Sequence, residues 1–259
     1  MPPARPLSSL LEESLERPVF CFTSDIEWSP ESAISEMISF FDERGVPLTP
    51  FLTHDSPAIT RRYASTELRR HVGVHPNFLP ESTHGGTQAE VIAHMRKLWP
   101  EAVSYRSHCF FDHTRLSTDM RRAGFKFDSN LLLFLQPHCQ PFRHISGLLR
   151  FPVFWEDDVH FDQGLPFELE SIREQLDRPG LKVFNTHPFL FALNVPTTAY
   201  YQEHKGLYTQ GDSWRESAFK GAGVRTLLDL VISHIARRGY TTAYLYDVYA
   251  SAAEIPGAL

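Results

Sequence analysis

Residues 18–23, PVFCFT, form an unbroken apolar run that is too short for a helix and lacks the alternation of a half-exposed strand. A run of this kind fits a strand buried on both faces, and such strands belong to parallel sheets covered by helices. The residues after this run extend the pattern. Ser29 offers an N-cap with Pro30 at the first helical position. Ile34, Met37, Ile38 and Phe41 then recur at helical spacing before Gly45. LTPFLT (48–53), HVGVH (71–75) and AVSYR (102–106) read as further strands. Between them Thr87 and Glu90 form a capping box, and Leu116, Met120 and Ala123 mark a helix closed by Gly124. Residues 125–127, 131–135, 147–154 and 181–186 read as strands, 166–177 and 224–238 as helices, and 1–17 as an amphipathic helix packed outside.

Strand-helix alternation over most of a chain implies a largely parallel sheet. No GxGxxG follows the first strand, so a dinucleotide-binding fold has no support. The expected architecture is α/β, a single distorted (β/α) barrel of about seven strands spanning 1–259. The 259 residues, 42% of them hydrophobic, suffice for one such core. Residues 196–222 break the pattern with a polar, aromatic stretch, expected to be a lid loop or substrate wall. The N-terminus has no apolar core of signal-peptide length and no run could span a bilayer, so a cytoplasmic protein without a membrane span is expected. A net charge of −6 with interspersed signs gives nucleic acid no binding stripe. Three cysteines form neither a disulfide framework nor a CxxC pair. Nothing in the sequence fixes an oligomeric state.

Chemically capable residues collect where strands run out. The first strand leads into Asp25, Glu27 and Trp28, the second into His54 and Asp55. The third leads into His75 and Asn77 with His84 soon after, the fourth into Tyr105, Arg106 and His108, and a later one into His187. In a barrel these are the ends where active sites form. Each residue alone has a duller reading: Asp25 and Glu27 as helix caps, His75 as a packed core histidine, Arg106 as a surface charge. Recurrence at five strand ends favours a site.

These segments resemble the polysaccharide deacetylase family, the NodB-homology barrels of carbohydrate esterase family four, and within it the WbmS-like proteins associated with surface polysaccharide synthesis. The resemblance covers roughly residues 18–195. FTSDIEW resembles a motif holding a base and a metal ligand, GVHPNFLPESTHG the histidine metal motif, and YRSHCF a motif whose arginine holds the catalytic aspartate. FNTHPF resembles a motif whose histidine acts near the leaving group. The resemblance implies Asp25 as base, Arg106 as its partner and His187 as acid. Glu27, standing where the family has aspartate, is implied as a metal ligand with His75 and His84. His71 stays open as an alternative to His84, since 71 and 75 share a strand face. One divalent ion is expected, Zn²⁺ first, with Co, Ni or Mn as alternatives. Trp28, Asn77, Tyr105 and His108 are expected to contact the sugar.

The expected reaction is removal of an N-acetyl or N-formyl group from an amino sugar or glycan precursor. Two rivals stand beside it. One is a metal-dependent glycosyltransferase using Asp25-x-Glu27 as its metal motif, and the other is a non-catalytic sugar-binding barrel.

Overall fold

The computed structural model of the protein describes residues 9–253, so the first half of the expected N-terminal helix, 1–8, lies outside the described residues. Ten strands form one curled sheet. They are β1 (Pro18–Asp25), β2 (Leu48–Leu52), β3 (Gly73–Val74), β4 (Ser104–Tyr105), β5 (Phe127–Asp128), β6 (Phe142–Arg143), β7 (Leu149–Arg150), β8 (Val153–Glu156), β9 (Gly180–Thr186) and β10 (Thr241–Thr242). The order is β6-β7-β5-β4-β3-β2-β1-β9-β8, with β10 beside the start of β1. Every pair is parallel except β6 with β7.

The sheet curls until β8 comes beside the segment that follows β5. Residues 147–154, expected as one strand, divide into β7 and β8 around Pro152, which has no N–H to give a ladder. β7 pairs with β5, and β8 pairs with β9. The expected strand 131–135 reduces to an isolated bridge between Leu132 and Val153. Leu133 N–H still donates to Val153 O (2.9 Å), Val153 N–H to Leu131 O (2.8 Å) and Leu135 N–H to Phe154 O (2.7 Å). This thin seam joins β8 to the continuation of β5. With β7 and β8 taken as one interrupted run, the ring has the expected seven positions, and β6 and β10 are short additions to it.

Side-chain alternation sorts the strands into an inner and an outer set. Val19, Cys21, Phe51, Phe127, Leu149, Phe151, Val153, Leu181 and Val183 form one buried cluster with Leu10 and Leu11 of the helix Ser9–Glu16 and Leu245 and Val248 of the helix Leu245–Ala253. The two terminal helices thus contribute to the interior cluster, and the first is not simply laid on the outside. The opposite residues, Phe20, Phe22, Phe154 and Phe184, pack on the surrounding helices. Gly73 is required by this packing, because a Cβ there would come within 2.4 Å of the Phe51 ring.

Several local signals act as expected. Thr87 and Glu90 make the reciprocal capping box of the helix Gln88–Leu98. Gly239 takes φ 62 after the helix Val224–Arg238, as a left-handed C-cap. Ser29 does not cap its helix: Pro30 occupies the N-cap and supplies no side-chain acceptor. Among the described residues no helix is long and apolar enough to cross a membrane.

One buried charge stands against the packing. Lys182 in β9 is 0% exposed, its Nζ has no hydrogen-bond partner, and it lies 4.4 Å from the centroid of the Phe154 ring. Burial pulls its amine down to about 8 from 10.5. Between those values the unfolded chain binds more protons than the folded one, so this group's penalty is full below about pH 8 and is relieved as pH rises toward 10.5. Lys182→Met is expected to stabilise the fold by roughly 1–4 kcal/mol at neutral pH, as when buried ionic groups give way to apolar ones. The gain should shrink on the alkaline side. Thermal melts of both proteins across that range test this, and a variant less stable than the parent would refute it.

Candidate functional site

The mouth at the C-terminal ends of the strands holds a cavity of about 380 Å³, whose lining includes Asp25, Glu27, His75, His108, Glu156 and His187. β1 delivers Asp25 as its last residue. Ile26 turns into the core, and its N–H donates to Phe51 O (3.0 Å). Glu27 then takes φ 45, the left-handed region that costs a non-glycine residue roughly 1–2 kcal/mol. The Thr53 hydroxyl donates to the Glu27 carbonyl and helps hold the turn. Asp25 and Glu27 therefore face the same cavity as expected, but through a backbone turn and not by simple strand alternation.

Beneath them lies Arg106, 0% exposed. Its Nη1 donates to Asp25 Oδ1 (3.0 Å), Thr23 Oγ1 (2.9 Å) and Asn185 Oδ1 (2.5 Å). Its Nε and Nη2 reach the Ser129 carbonyl and hydroxyl, both at 2.8 Å. Asn185 Nδ2 donates to Asp25 Oδ2 (2.9 Å) and to Glu156 Oε1 (2.7 Å). Burial pushes the Asp25 carboxyl up, but Arg106, then His75 and His187, more than offset it and hold it below its ordinary value. Asp25 is thus an anion fixed at both oxygens.

Above this layer, ligand-capable atoms of Glu27, His75 and His108 all lie within 4.8 Å of one another. His108 Nδ1 stands 3.0 Å from Glu27 Oε1, and His75 Nδ1 stands 3.4 Å from Asp25 Oδ1. Neither contact has hydrogen-bond geometry: both ring nitrogens of His75 and Nδ1 of His108 are buried without partners. Burial pulls the His75 imidazole down to about 4, which keeps it neutral and able to ligate. Burial raises Glu27, but His187, His108 and His75 outweigh it and bring the carboxyl to about 2.

His187 follows β9 on the opposite wall. Its Nδ1 lies 2.7 Å from Asp157 Oδ1 and its backbone N–H donates to Asp157 Oδ2 (2.8 Å). Its Nε2 is 3.9 Å from Glu27. Burial alone would depress this imidazole, but Asp157 first and Glu27 next hold its proton well above the ordinary range.

Asp25, Glu27, Arg106, His75 and His187 thus come together. The expected ligand His84 does not join Glu27 and His75. Its Nδ1 accepts the Asn77 N–H (3.0 Å), and its ring stacks on His94 (5.1 Å) and Trp28 (5.9 Å). His108, expected at the sugar, stands with Glu27 and His75 instead. His71 is elsewhere, stacked on Tyr244 at 3.9 Å. Tyr105 does not reach the cavity: Arg106 points inward, so its neighbour points outward and packs on Phe125. Asn77 also stays off the cavity lining, where its Oδ1 accepts the Leu79 N–H. Trp28 is 41% exposed beside His108.

Sequence reasoning met Asn185 at the strand end before His187 but gave it no role, and passed over Glu156, Asp157 and Asp158. Asn185 two residues before His187, and three consecutive acids closing a buried strand, were the available signals. The stretch 196–222 is largely helical and not a loop, with a helix at Thr198–His204 and 3₁₀ turns at Lys205–Thr209 and Ser213–Ser217. Tyr201 and Tyr208 line the cavity, while Trp214 is buried.

Residues 22–205 match the family model described as WbmS-like: Polysaccharide deacetylase. A Bordetella bronchiseptica structure, provisionally described as a polysaccharide deacetylase involved in O-antigen biosynthesis, superposes with a TM-score of 0.75 at 26% identity, covering 83% of this chain and 90% of that one. A Mycobacterium smegmatis structure, also provisionally described as a polysaccharide deacetylase, gives 0.40 at 17% identity over 88% and 93%. A CE4 family pseudoenzyme from Bacillus anthracis gives 0.43 at 10% identity over 89% and 64%. No curated protein matches the chain.

The Arg106 network has a measurable consequence. Arg106→Ala strands a buried Asp25 charge and is expected to destabilise the fold by about 3–5 kcal/mol. Arg106→Lys should recover only part of this, because an ammonium cannot reproduce the planar fork. Chemical denaturation distinguishes the cases, and a loss below about 1 kcal/mol would show the network to be dispensable.

Proposed function

The chain belongs to the WbmS-like polysaccharide deacetylase family, amide hydrolases with a role in polysaccharide biosynthesis, and we propose that its own reaction is the metal-dependent removal of an N-acetyl or N-formyl group from an amino sugar. The observation that carries this reading is the triad of Glu27, His75 and His108 beside the anchored Asp25 and the protonated His187.

The donor set fits a divalent ion. Two imidazoles and one carboxylate converge, and ring nitrogens of both imidazoles are buried without partners, which is costly unless something binds them. Two nitrogens and one oxygen leave positions open, the hallmark of a catalytic zinc-type site. When bound, such an ion supplies charge that polarises the acyl carbonyl and acidifies water.

The residues of the chain do the rest. Asp25, kept anionic by Arg106, takes the proton of the attacking water. His187, held protonated by Asp157, gives a proton to the departing nitrogen, so the amine leaves without negative charge. Tyr201 and Tyr208 in the cavity wall supply faces for a sugar ring, and Trp28 stands exposed beside His108, outside the lining. The glycosyltransferase reading of Asp25-x-Glu27 loses its basis, since both Asp25 oxygens are engaged by Arg106 and Asn185. A binding-only barrel would have no use for an anionic base opposite a protonated imidazole.

Purified protein is expected to hold one zinc-type ion per chain, measured by elemental analysis. His108→Ala should lose it, whereas His84→Ala should keep it. The reverse pattern would return the ligand role to His84.

Asp25→Asn should retain metal and release almost no acetate or formate from N-acylated amino sugars. His187→Ala should also retain metal and lose about 10²–10⁴ in turnover. Loss of metal from Asp25→Asn would exchange the roles of the two carboxylates.

A further inference from the structure

Glu156 lines the cavity but takes no part in the steps assigned to Asp25 and His187. It ends β8, is 4% exposed, and has a carboxylate atom within 4.8 Å of both Asp25 and His187. Its Oε1 accepts from Asn185 Nδ2 (2.7 Å), the same amide nitrogen that serves Asp25 Oδ2 (2.9 Å). Two carboxyl groups therefore share one donor, and the nearby cations are committed elsewhere. Arg106 bonds Asp25. His187 bonds Asp157. The titratable groups facing Glu156 are Asp158, two residues on in the same chain, Asp25 from β1, His187 from the end of β9, and the Cys109 thiol across the cavity.

A pair of buried carboxyls this close cannot both ionise cheaply, and the one without a cation keeps its proton. Asp25 has Arg106, so the proton falls to Glu156. We propose that Glu156 works as a neutral carboxylic acid, donating a hydrogen bond from the cavity wall to an oxygen of the bound sugar substrate. The proposal rests on the deacetylase reading for its substrate. Burial, and after it Asp158, push this carboxyl up to about 8, in keeping with the geometry. The wall then presents a donor where a carboxylate would present a charge. This side of the cavity is therefore built for a neutral hydroxyl or carbonyl oxygen, and an ammonium group would not be favoured there. With Glu156 protonated, Asp25 also keeps its negative charge to itself as base.

Two measurements on the metal-loaded full chain test this. Infrared difference spectra of wild type against E156Q, taken from about pH 6 to pH 10, follow the carboxyl C=O band. Expected is a protonated carboxyl at neutral pH that ionises on the alkaline side and is missing from E156Q. An ionised Glu156 at neutral pH overturns the proposal. In acyl-release assays E156Q, which keeps a donor, should exceed E156A by about tenfold in kcat/KM, the loss of roughly one hydrogen bond. The alkaline fall of wild-type kcat/KM should move to higher pH in E156Q, where only the His187 acid is left to lose its proton. If E156Q is as impaired as E156A, the carboxylate form is the one required and the proposal fails. Failure of wild type to release any acyl group would count against the deacetylase reading, while the infrared titration would still decide the state of Glu156.

Discussion

The guanidinium of Arg106 is the point on which the site is assembled. It is completely buried, and its hydrogen bonds draw together β1, β9 and the segment after β5. A buried cation of this kind is tolerated only when its donors are satisfied. That requirement fixes Asp25, Asn185, Thr23 and Ser129 at once. Phe51, whose ring lies 4.6 Å from the guanidinium carbon, covers it from within the barrel, and Gly73 leaves room for that ring. The positions of the two chemical layers above follow. Asp25 is held at both oxygens with Oδ1 3.4 Å from His75 Nδ1, and Glu27, His75 and His108 gather above it.

The same anchoring separates three carboxyl groups that would otherwise behave alike. Asp25 has an arginine, Asp157 has an imidazole, and Glu156 has only a shared amide. Charge is distributed by which partner each group meets. Glu27 is the exception, since it meets no arginine or amide and is surrounded by the imidazoles of His187, His108 and His75. It occupies left-handed backbone to be there, and strain of that sort concentrates where geometry is dictated by function.

Most of the frame was legible in the sequence because it depends on local periodicity. The apolar run at 18–23 became β1, and the capping box at Thr87 and the glycine at 239 ended helices as their chemistry requires. Strand-end residues Asp25, His75, Arg106 and His187 could be read for the same reason: they follow buried strands directly. What escaped was set by tertiary placement. His84 sits in a turn and His108 opens a short 3₁₀ turn, neither with any periodicity to read, and only the fold decides that the second reaches Glu27 while the first stacks on His94. Tyr105 was misplaced by one step of the pleat. Asn185, an ordinary amide within a strand, announces nothing until two carboxylates are seen to share it. The helical character of 198–217 was masked by its aromatic, polar composition and short turns.

The pairing of β1 with β9 carries a consequence for how the protein comes into being. Asp25 and Asn185 bond across 160 positions of chain, and ordering contacts so distant requires closure of a very long loop. During synthesis, β1 and β2 can leave the ribosome and pair long before β9 exists. Until it arrives, Arg106 has no Asn185, His187 is unmade, and the apolar edge of β1 lies open. The nascent chain therefore passes through a stage with an exposed hydrophobic strand and no catalytic chemistry, a stage at which chaperones and aggregation compete. The site is completed when β9 inserts, while the interior cluster is closed only later, when β10 and the helix Leu245–Ala253 arrive.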